Sequence, residues 1–205
     1  MRKATVVLWL GALTLGIIAL FWHVEWVYSL PTPVPKSYQH VRTGQHLTIS
    51  SLPSSNNSRP VLLHFFNPDC PCSKFNIAHF KTLVKMYGKE VDFIIVPMTS
   101  KPHTVKEMQQ LFQVNVPVIF DSSIAAKCGV YSTPQAVIIN IDRTLYYRGN
   151  YNKSRYCTNK QSNYVMMALD SLLHQKLHPV FNEYALKAYG CEIPRINHTI
   201  NLNEN

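Results

Sequence analysis

Two thiols separated by a single proline, Cys70-Pro71-Cys72, stand inside the stretch VLLHFFNPDCPCSK that runs from Val61 to Lys74. A thiolate is the form of cysteine that attacks disulfides and holds soft metals, so the question is what would ionise these sulfurs. Val61 to Phe66 is a short apolar run suited to a buried strand. After the turn, Ile77, Phe80, Val84 and Tyr87 share one helical face, which predicts a helix beginning near Ser73 and ending at Gly88. A cysteine at a helix start feels unpaired backbone amides and the positive end of the macrodipole, and both favour its thiolate. Lys74 adds to that field and Asp69 opposes it, while Pro71 stiffens the turn and removes one amide donor. Cysteines two apart bridge only in a strained ring, so a Cys70 to Cys72 bond would be readily reduced rather than a lasting staple.

The elements that must position this turn alternate in type. A short first strand is expected at Gln45 to Leu52, then a Ser/Asn/Pro loop from Pro53 to Pro60 and the strand already named. Val91 to Val96 reads as a second buried strand, Val105 to Phe112 as a helix, Val116 to Phe120 as another strand, and Ser122 to Cys128 as a helical turn or two. Gln135 to Ile141 and Leu145 to Arg148 form a hairpin around Asp142 and Arg143, and a last amphipathic helix carries Val165, Leu169, Leu172 and Leu173. Strands alternating with helices predict an α/β domain, a mixed sheet covered on both faces with the hairpin as its antiparallel edge. Val180 to Tyr189 suggests a further helix, followed by Cys191 and a polar end.

Composition narrows the class. The chain has 205 residues, 46% of them apolar and 15% charged, which argues against a wholly disordered or fibrous protein. Lys and Arg number 20 against 11 Asp and Glu, but they are scattered and form no stripe, so nucleic acid is not expected as a partner. Five cysteines are too few for a disulfide-dense miniprotein, and an odd number leaves at least one unpaired within the chain.

From Ala4 to Trp22 no charged residue occurs, about the length a helix needs to cross a hydrocarbon core. Arg2 and Lys3 precede it, so the positive-inside rule keeps the N-terminus cytoplasmic and sends residues 30–205 across the membrane. A cleaved signal peptide would end in a small-X-small site. Here the run ends in Leu20, Phe21, Trp22 and His23, and Trp22, Trp26 and Tyr28 read as an interfacial belt, which favours a retained anchor. The expected organisation is an anchor at 1–28, a Pro-spaced linker at 29–44 with Pro31, Pro33 and Pro35, a domain at 45–174 and a C-terminal extension at 175–205.

The strand, the cysteine turn and the helix together resemble the thioredoxin superfamily, in which a strand ending in aromatic residues leads into Cys-X-X-Cys at a helix start. Cys70 falls on the attacking cysteine of that pattern and Ser73 on the resolving one, so this chain departs from it at position 73. Thr133 and Pro134 stand where the superfamily places a proline with a cis peptide bond, packed against the reactive sulfur. The longer stretch FQVNVPVIFDSSIAAKCGVYSTPQAVIINIDRTLYYRG is similar to membrane-anchored bacterial proteins of the TlpA and redoxin type. Over about Pro60 to Leu173 the chain is most like an uncharacterised thioredoxin-like group with a CPCS turn.

The resemblance implies a thioredoxin-like mixed sheet flanked by helices, and an inner-membrane, single-pass thiol:disulfide oxidoreductase. Its domain would lie in the periplasm or outside and act on polypeptide thiols or disulfides without a cofactor. Cys70 would attack, Cys72 would resolve or cap, Pro134 would shape the docking groove, and the backbone at Thr133 would pair with an extended substrate strand. His64 falls where thioredoxins carry a buried acid, so the alternatives for it are a proton carrier near neutral pH and a satisfied core histidine. Cys128, six residues before Pro134, is either a resolving thiol or a buried small residue. Cys157 and Cys191 are expected to pair. Their bridge would close a loop of about 35 residues and restrain the extension by about 3–4 kcal/mol on the chain-entropy model.

Several other readings compete. Two close thiolates and a histidine suit Cu(I), yet copper proteins of this fold add a histidine near the proline loop and none lies between Lys127 and Gln161, so no metal is assigned. Asn67, Pro68 and Asp69 do not reproduce the peroxiredoxin pattern. A non-catalytic interaction domain is the third alternative, and oligomeric state is left open. Tyr146, Tyr147, Arg148, Tyr151, Lys153, Arg155 and Tyr156 form a basic aromatic segment, read as solvated surface in preference to a receiving surface for an acidic or polypeptide partner. Asn56, Asn152 and Asn197 begin glycosylation-type triplets, which matter only in a eukaryotic secretory route.

Overall fold

The computed structural model describes residues 2–52, 59–153, 157 and 160–194. Residues 53–58 of the loop expected at 53–60, with Asn56, lie outside them, as do Arg155, Tyr156 and Asn197. The chain divides into two compact units, Met1–Pro31 and Thr32–Asn205.

The first unit is helix α1, Arg2–Ser29. Its stretch Arg2–Val24 has a mean hydropathy of 2.3, long and apolar enough to cross a membrane. Trp22 and Trp26, one turn apart, stack with ring centroids 5.6 Å apart.

The second unit is built on strands β1 (Val61–Phe66), β2 (Asp92–Pro97), β4 (Gln135–Ile139) and β5 (Leu145–Gly149) in the order β2-β1-β4-β5. β1 pairs parallel with β2 and antiparallel with β4, and β4 pairs antiparallel with β5. This is the mixed sheet with an antiparallel edge that the alternation predicts. The runs expected at 45–52 and 116–120 are not full strands. Each contributes one bridge at a sheet border, His46 to Thr144 and Val118 to Ile95.

Both faces of β1 are buried, which is why VLLHFF shows no alternation. Leu62 and Phe66 join Phe80 and Leu83 of α2 (Pro71–Tyr87), Phe112 of α3 (Val105–Phe112), and Val165 and Leu169 of α5 (Tyr164–Leu173) in one core. Leu63 and Phe65 face the other core with Val41, Leu47, Ile124 and Cys128, where α4 (Ser123–Cys128) packs. Helix α3 begins at a capping box of Thr104 and Glu107, with each side chain accepting from the other residue's backbone N–H.

Parts read as linker and extension pack into this unit. Thr32 and Val41 are buried, and Tyr38 lies edge-on to Tyr131. Towards the C-terminus, α6 (Glu183–Leu186) is shorter than the helix expected at 180–189. It leads into β6 (Cys191–Glu192), which pairs antiparallel with β3 (Ser132–Thr133) in a second, two-stranded sheet.

Candidate functional site: a three-cysteine cluster at the cis-proline loop

Helix α2 starts earlier than its apolar face suggests. Pro71 is its first residue and Cys70 its N-cap, with φ −88° and ψ 121°, because proline is preorganised for the first helical position and needs no N–H there. The turn is held by its own polar groups. The Cys70 amide donates to the Asn67 carbonyl at 3.1 Å, the Asp69 amide to Asn67 Oδ1 at 2.9 Å, and the Asn67 amide to Ser73 Oγ at 3.2 Å. Ser73 is fully buried. Ser73 therefore ties the strand end to the helix start.

Asp69 carries the carboxylate that would oppose a thiolate here. Lys101 Nζ lies 2.9 Å from its Oδ1 and, as the main cause, holds this exposed carboxyl below the usual range. The ion pair turns Asp69 outward from an electrostatic liability into a partner of the neighbouring loop.

Cys70 is disulfide-bonded to Cys191, 121 positions later, with Cα atoms 6.1 Å apart. The sulfurs of Cys70, Cys72 and Cys191 all lie within 4.8 Å of one another. Cys70 and Cys72 are buried, and Cys191 is partly exposed. The Thr133–Pro134 peptide bond is cis, and the Thr133 carbonyl oxygen lies 3.8 Å from Cys70 Sγ.

The C-terminal segment reaches this place through a set of polar anchors. Asn150 donates its side-chain amide to the carbonyls of Tyr184 (2.8 Å) and Lys187 (2.6 Å), and its backbone N–H to Ala185. The Thr32 amide donates to the Ala188 carbonyl at 2.9 Å. The hydroxyls of Thr32 and Ser132 share a hydrogen bond at 2.8 Å, with the Gly190 carbonyl 3.1 Å from Thr32 Oγ1 and the Cys191 carbonyl 3.2 Å from Ser132 Oγ. Gly190, at φ 145°, passes so close to Thr133 that a Cβ would collide with the Thr133 carbonyl. Only glycine admits this approach.

The structure corrects the expected pairing of Cys157 with Cys191. Cys191 is drawn to the proline loop by β6, whereas Cys157 sits at the side of α2 and receives a hydrogen bond from Asn76 Nδ2 at 3.1 Å. Burial pushes the Cys157 thiol up to about 11. Cys128 is not among the clustered sulfurs either. It is fully buried on the opposite side of the sheet from α2, and burial pushes its thiol up to about 12 despite Arg148 and Lys127. A resolving role has no geometric basis there, and the small-core-residue reading accounts for it.

His64 points to the α2 face. Its ring stacks on Phe80 at 4.5 Å, and its Nδ1 is 2.6 Å from the Tyr151 hydroxyl, while Nε2 has no hydrogen-bond partner among the described residues. Burial, with nearby His79 adding to it, pulls its pKa down to about 3. The ring is neutral throughout the physiological range, so a proton carrier near pH 7 gives way to a core histidine. Tyr147 and Tyr151, read as solvated surface, are core residues instead.

Residue-type reasoning therefore found Cys70, Cys72, Thr133 and Pro134, and the structure brings them together. It missed the partnership with Cys191 and the supporting Gly190, Asn150 and Thr32. One signal was available, since Gly190 immediately precedes a cysteine, and glycine beside a reactive residue often marks close backbone approach.

The architecture has several relatives among solved structures. A hypothetical protein from Sinorhizobium meliloti aligns at 18% identity and TM-score 0.63, over 76% of this chain and 96% of that one. An uncharacterized conserved protein from Geobacillus kaustophilus aligns at 22% identity and TM-score 0.57, over 66% and 77%. The C-terminal domain of a Bacteroides thetaiotaomicron protein described as a candidate thiol-disulfide oxidoreductase aligns at 12% identity and TM-score 0.51, over 65% and 97%. The fold is thioredoxin-like. No curated protein matches the chain. Residues 39–192, from just after the proline-rich segment to β6 and its cysteine, match the model of one family, and the chain thus belongs to the family of the domain of unknown function DUF6436.

Proposed function

We propose that this protein is a membrane-anchored, externally facing thiol:disulfide oxidoreductase acting on polypeptide thiols or disulfides, close in architecture to TlpA-type proteins. The observation that carries the reading is the bond between the N-cap cysteine of α2 and a cysteine held on the cis-proline loop. In the reduced protein, Cys70 is the attacking group, because its N-cap position favours the thiolate. It attacks a partner disulfide, one partner sulfur leaves as a thiolate and takes a proton from solvent, and a mixed disulfide with Cys70 forms. Cys191, as its thiolate, then attacks Cys70 Sγ and expels the second partner sulfur. The partner gains two electrons and the protein ends with the Cys70–Cys191 disulfide. The same steps reversed oxidise a partner dithiol, the direction following the relative potentials. Cys191 thereby takes the resolving role that Ser73 cannot fill, and Cys72 is the neighbouring thiol able to cap Cys70 during exchange.

Reduction of insulin disulfides by the full chain in detergent, driven by dithiothreitol, tests this activity. The wild type should accelerate reduction and Cys70→Ser should not. Equal rates for the two would overturn the reading.

A second reading has one specific support, three sulfurs within 4.8 Å of one another. Once reduced, Cys70, Cys72 and Cys191 form a thiolate set suited to Cu(I). Cu(I) protecting all three from alkylation, in a protein without insulin-reducing activity, would favour it.

A further inference from the structure

Cys191 of the redox pair lies on β6, the strand paired with the edge that β3 offers beside the cis-proline. Ser132 and Thr133 are fully buried with β6 paired against them, Ser132 opposite Glu192 and Thr133 opposite Cys191. An extended polypeptide adding to this edge would need the positions that β6 occupies.

We propose that the segment around Gly190–Cys191 is a built-in occupant of the substrate edge, and that the partner is an extended polypeptide presenting a cysteine directly preceded by glycine. This rests on the oxidoreductase reading and names its substrate class. The occupant defines the register: its cysteine lies opposite Thr133 and its sulfur bonds Cys70. The residue before the cysteine lies against the Thr133 carbonyl, where a Cβ would collide. A substrate seated in the same register meets the same wall, so a β-branched residue there is excluded by the backbone of the site itself.

Sharing the edge also couples chemistry to release. While a partner cysteine is bonded to Cys70 and its strand is paired with β3, the C-terminal segment is displaced. When Cys191 returns, the Cys70–partner bond breaks, the electron pair leaves on the partner sulfur, and the Cys70–Cys191 bond forms. β6 then reclaims the hydrogen bonds that held the partner strand. Resolution and product release become one event.

The test uses the full chain in detergent with Cys191→Ser, which leaves Cys70 unable to close on the C-terminal segment. Two synthetic octapeptides are offered, one copying residues 187–194 (KAYGCEIP) and one with valine in place of the glycine, each with its cysteine activated as a thiopyridyl disulfide. Attack by Cys70 bonds it to the peptide and releases thiopyridone, which is read by absorbance. The glycine peptide should react about tenfold faster than the valine peptide, corresponding to one decade in transition-state affinity. Adding Gly190→Val to Cys191→Ser should speed the glycine peptide further, because the resident strand then seats poorly. The thiopyridyl disulfide of cysteamine, which carries no peptide and releases the same thiopyridone, serves as the control for sulfur reactivity. Equal rates for the two peptides, with Cys70 reactive toward the control, would overturn the docking proposal and leave the oxidoreductase reading standing. A Cys70 inert toward all three would overturn both.

Discussion

Cys191 is bonded to Cys70 while it faces Thr133 across an antiparallel bridge, so one residue of the C-terminal segment engages both the reactive helix start and the proline loop. A covalent tie and a strand pairing thus converge on a single position. Each stabilises the geometry the other requires.

The tie spans most of the domain. Reducing the protein, or replacing Cys191 by Ser, should lower the stability of the second unit by about 4–5 kcal/mol on the chain-entropy model, since the disulfide restricts a long loop of the unfolded chain. Urea unfolding of the full chain in detergent, followed by tyrosine fluorescence with and without reductant, measures the difference. An unchanged midpoint would mean that the bond is not closed in the native protein.

Ser73 offers a sharper manipulation. Its hydroxyl accepts from the Asn67 amide at 3.2 Å. Ser73→Ala should cost about 1–3 kcal/mol, the range for a buried amide left without its partner. Ser73→Cys should instead install a competing thiol one helical turn from Cys70. Peptide mapping of the oxidised variant should then find Cys70 bridged to position 73 at the expense of Cys191.

Helix and strand positions were largely legible because buried runs such as VLLHFF and the α2 face have the right lengths and periods. The cysteine turn was legible for the same reason, since Cys70 sits at the junction of two clearly signalled elements. Its partner was not. Pairing between residues 121 positions apart depends on where β6 is delivered, and that follows from Asn150 holding the carbonyls of Tyr184 and Lys187. Cys157, which like Cys191 follows the hairpin and is its expected partner, is parked beside Asn76 instead. The side to which His64 points was likewise undecidable in a strand buried on both faces.

Cys128 and Cys157 should be chemically quiet. Their thiols are pushed up to about 12 and about 11, so both remain protonated at pH 7 to 9 and do not generate the nucleophilic form. Iodoacetamide labelling of the folded protein should spare both across that range. Cys128→Ala should leave the insulin-reducing rate unchanged while costing about 1 kcal/mol of stability. Loss of the activity in a folded Cys128→Ala protein would return Cys128 to the list of resolving candidates.

His64 makes stability depend on pH. Its folded-state pKa is about 3 against an ordinary 6.5, so between these values the unfolded chain binds the proton and the folded chain does not. Stability therefore falls as pH drops below about 6.5, by about 1.5 kcal/mol between pH 6.5 and pH 5 from this group. His79, lowered mainly by burial, acts in the same direction. Urea unfolding at the two pH values should show the loss, and His64→Gln should flatten it. A slope unchanged in that variant would mean that His64 does not supply it.

Disulfide mapping of the oxidised full chain tests the central claim most directly. The protein is alkylated in the folded state, digested without reductant and read by mass spectrometry. The expected result is one crosslinked peptide pair joining Cys70 to Cys191, with Cys72, Cys128 and Cys157 recovered as thiols after denaturation. A Cys70–Cys72 or Cys157–Cys191 link, or a Cys191 recovered as a thiol, would contradict the account.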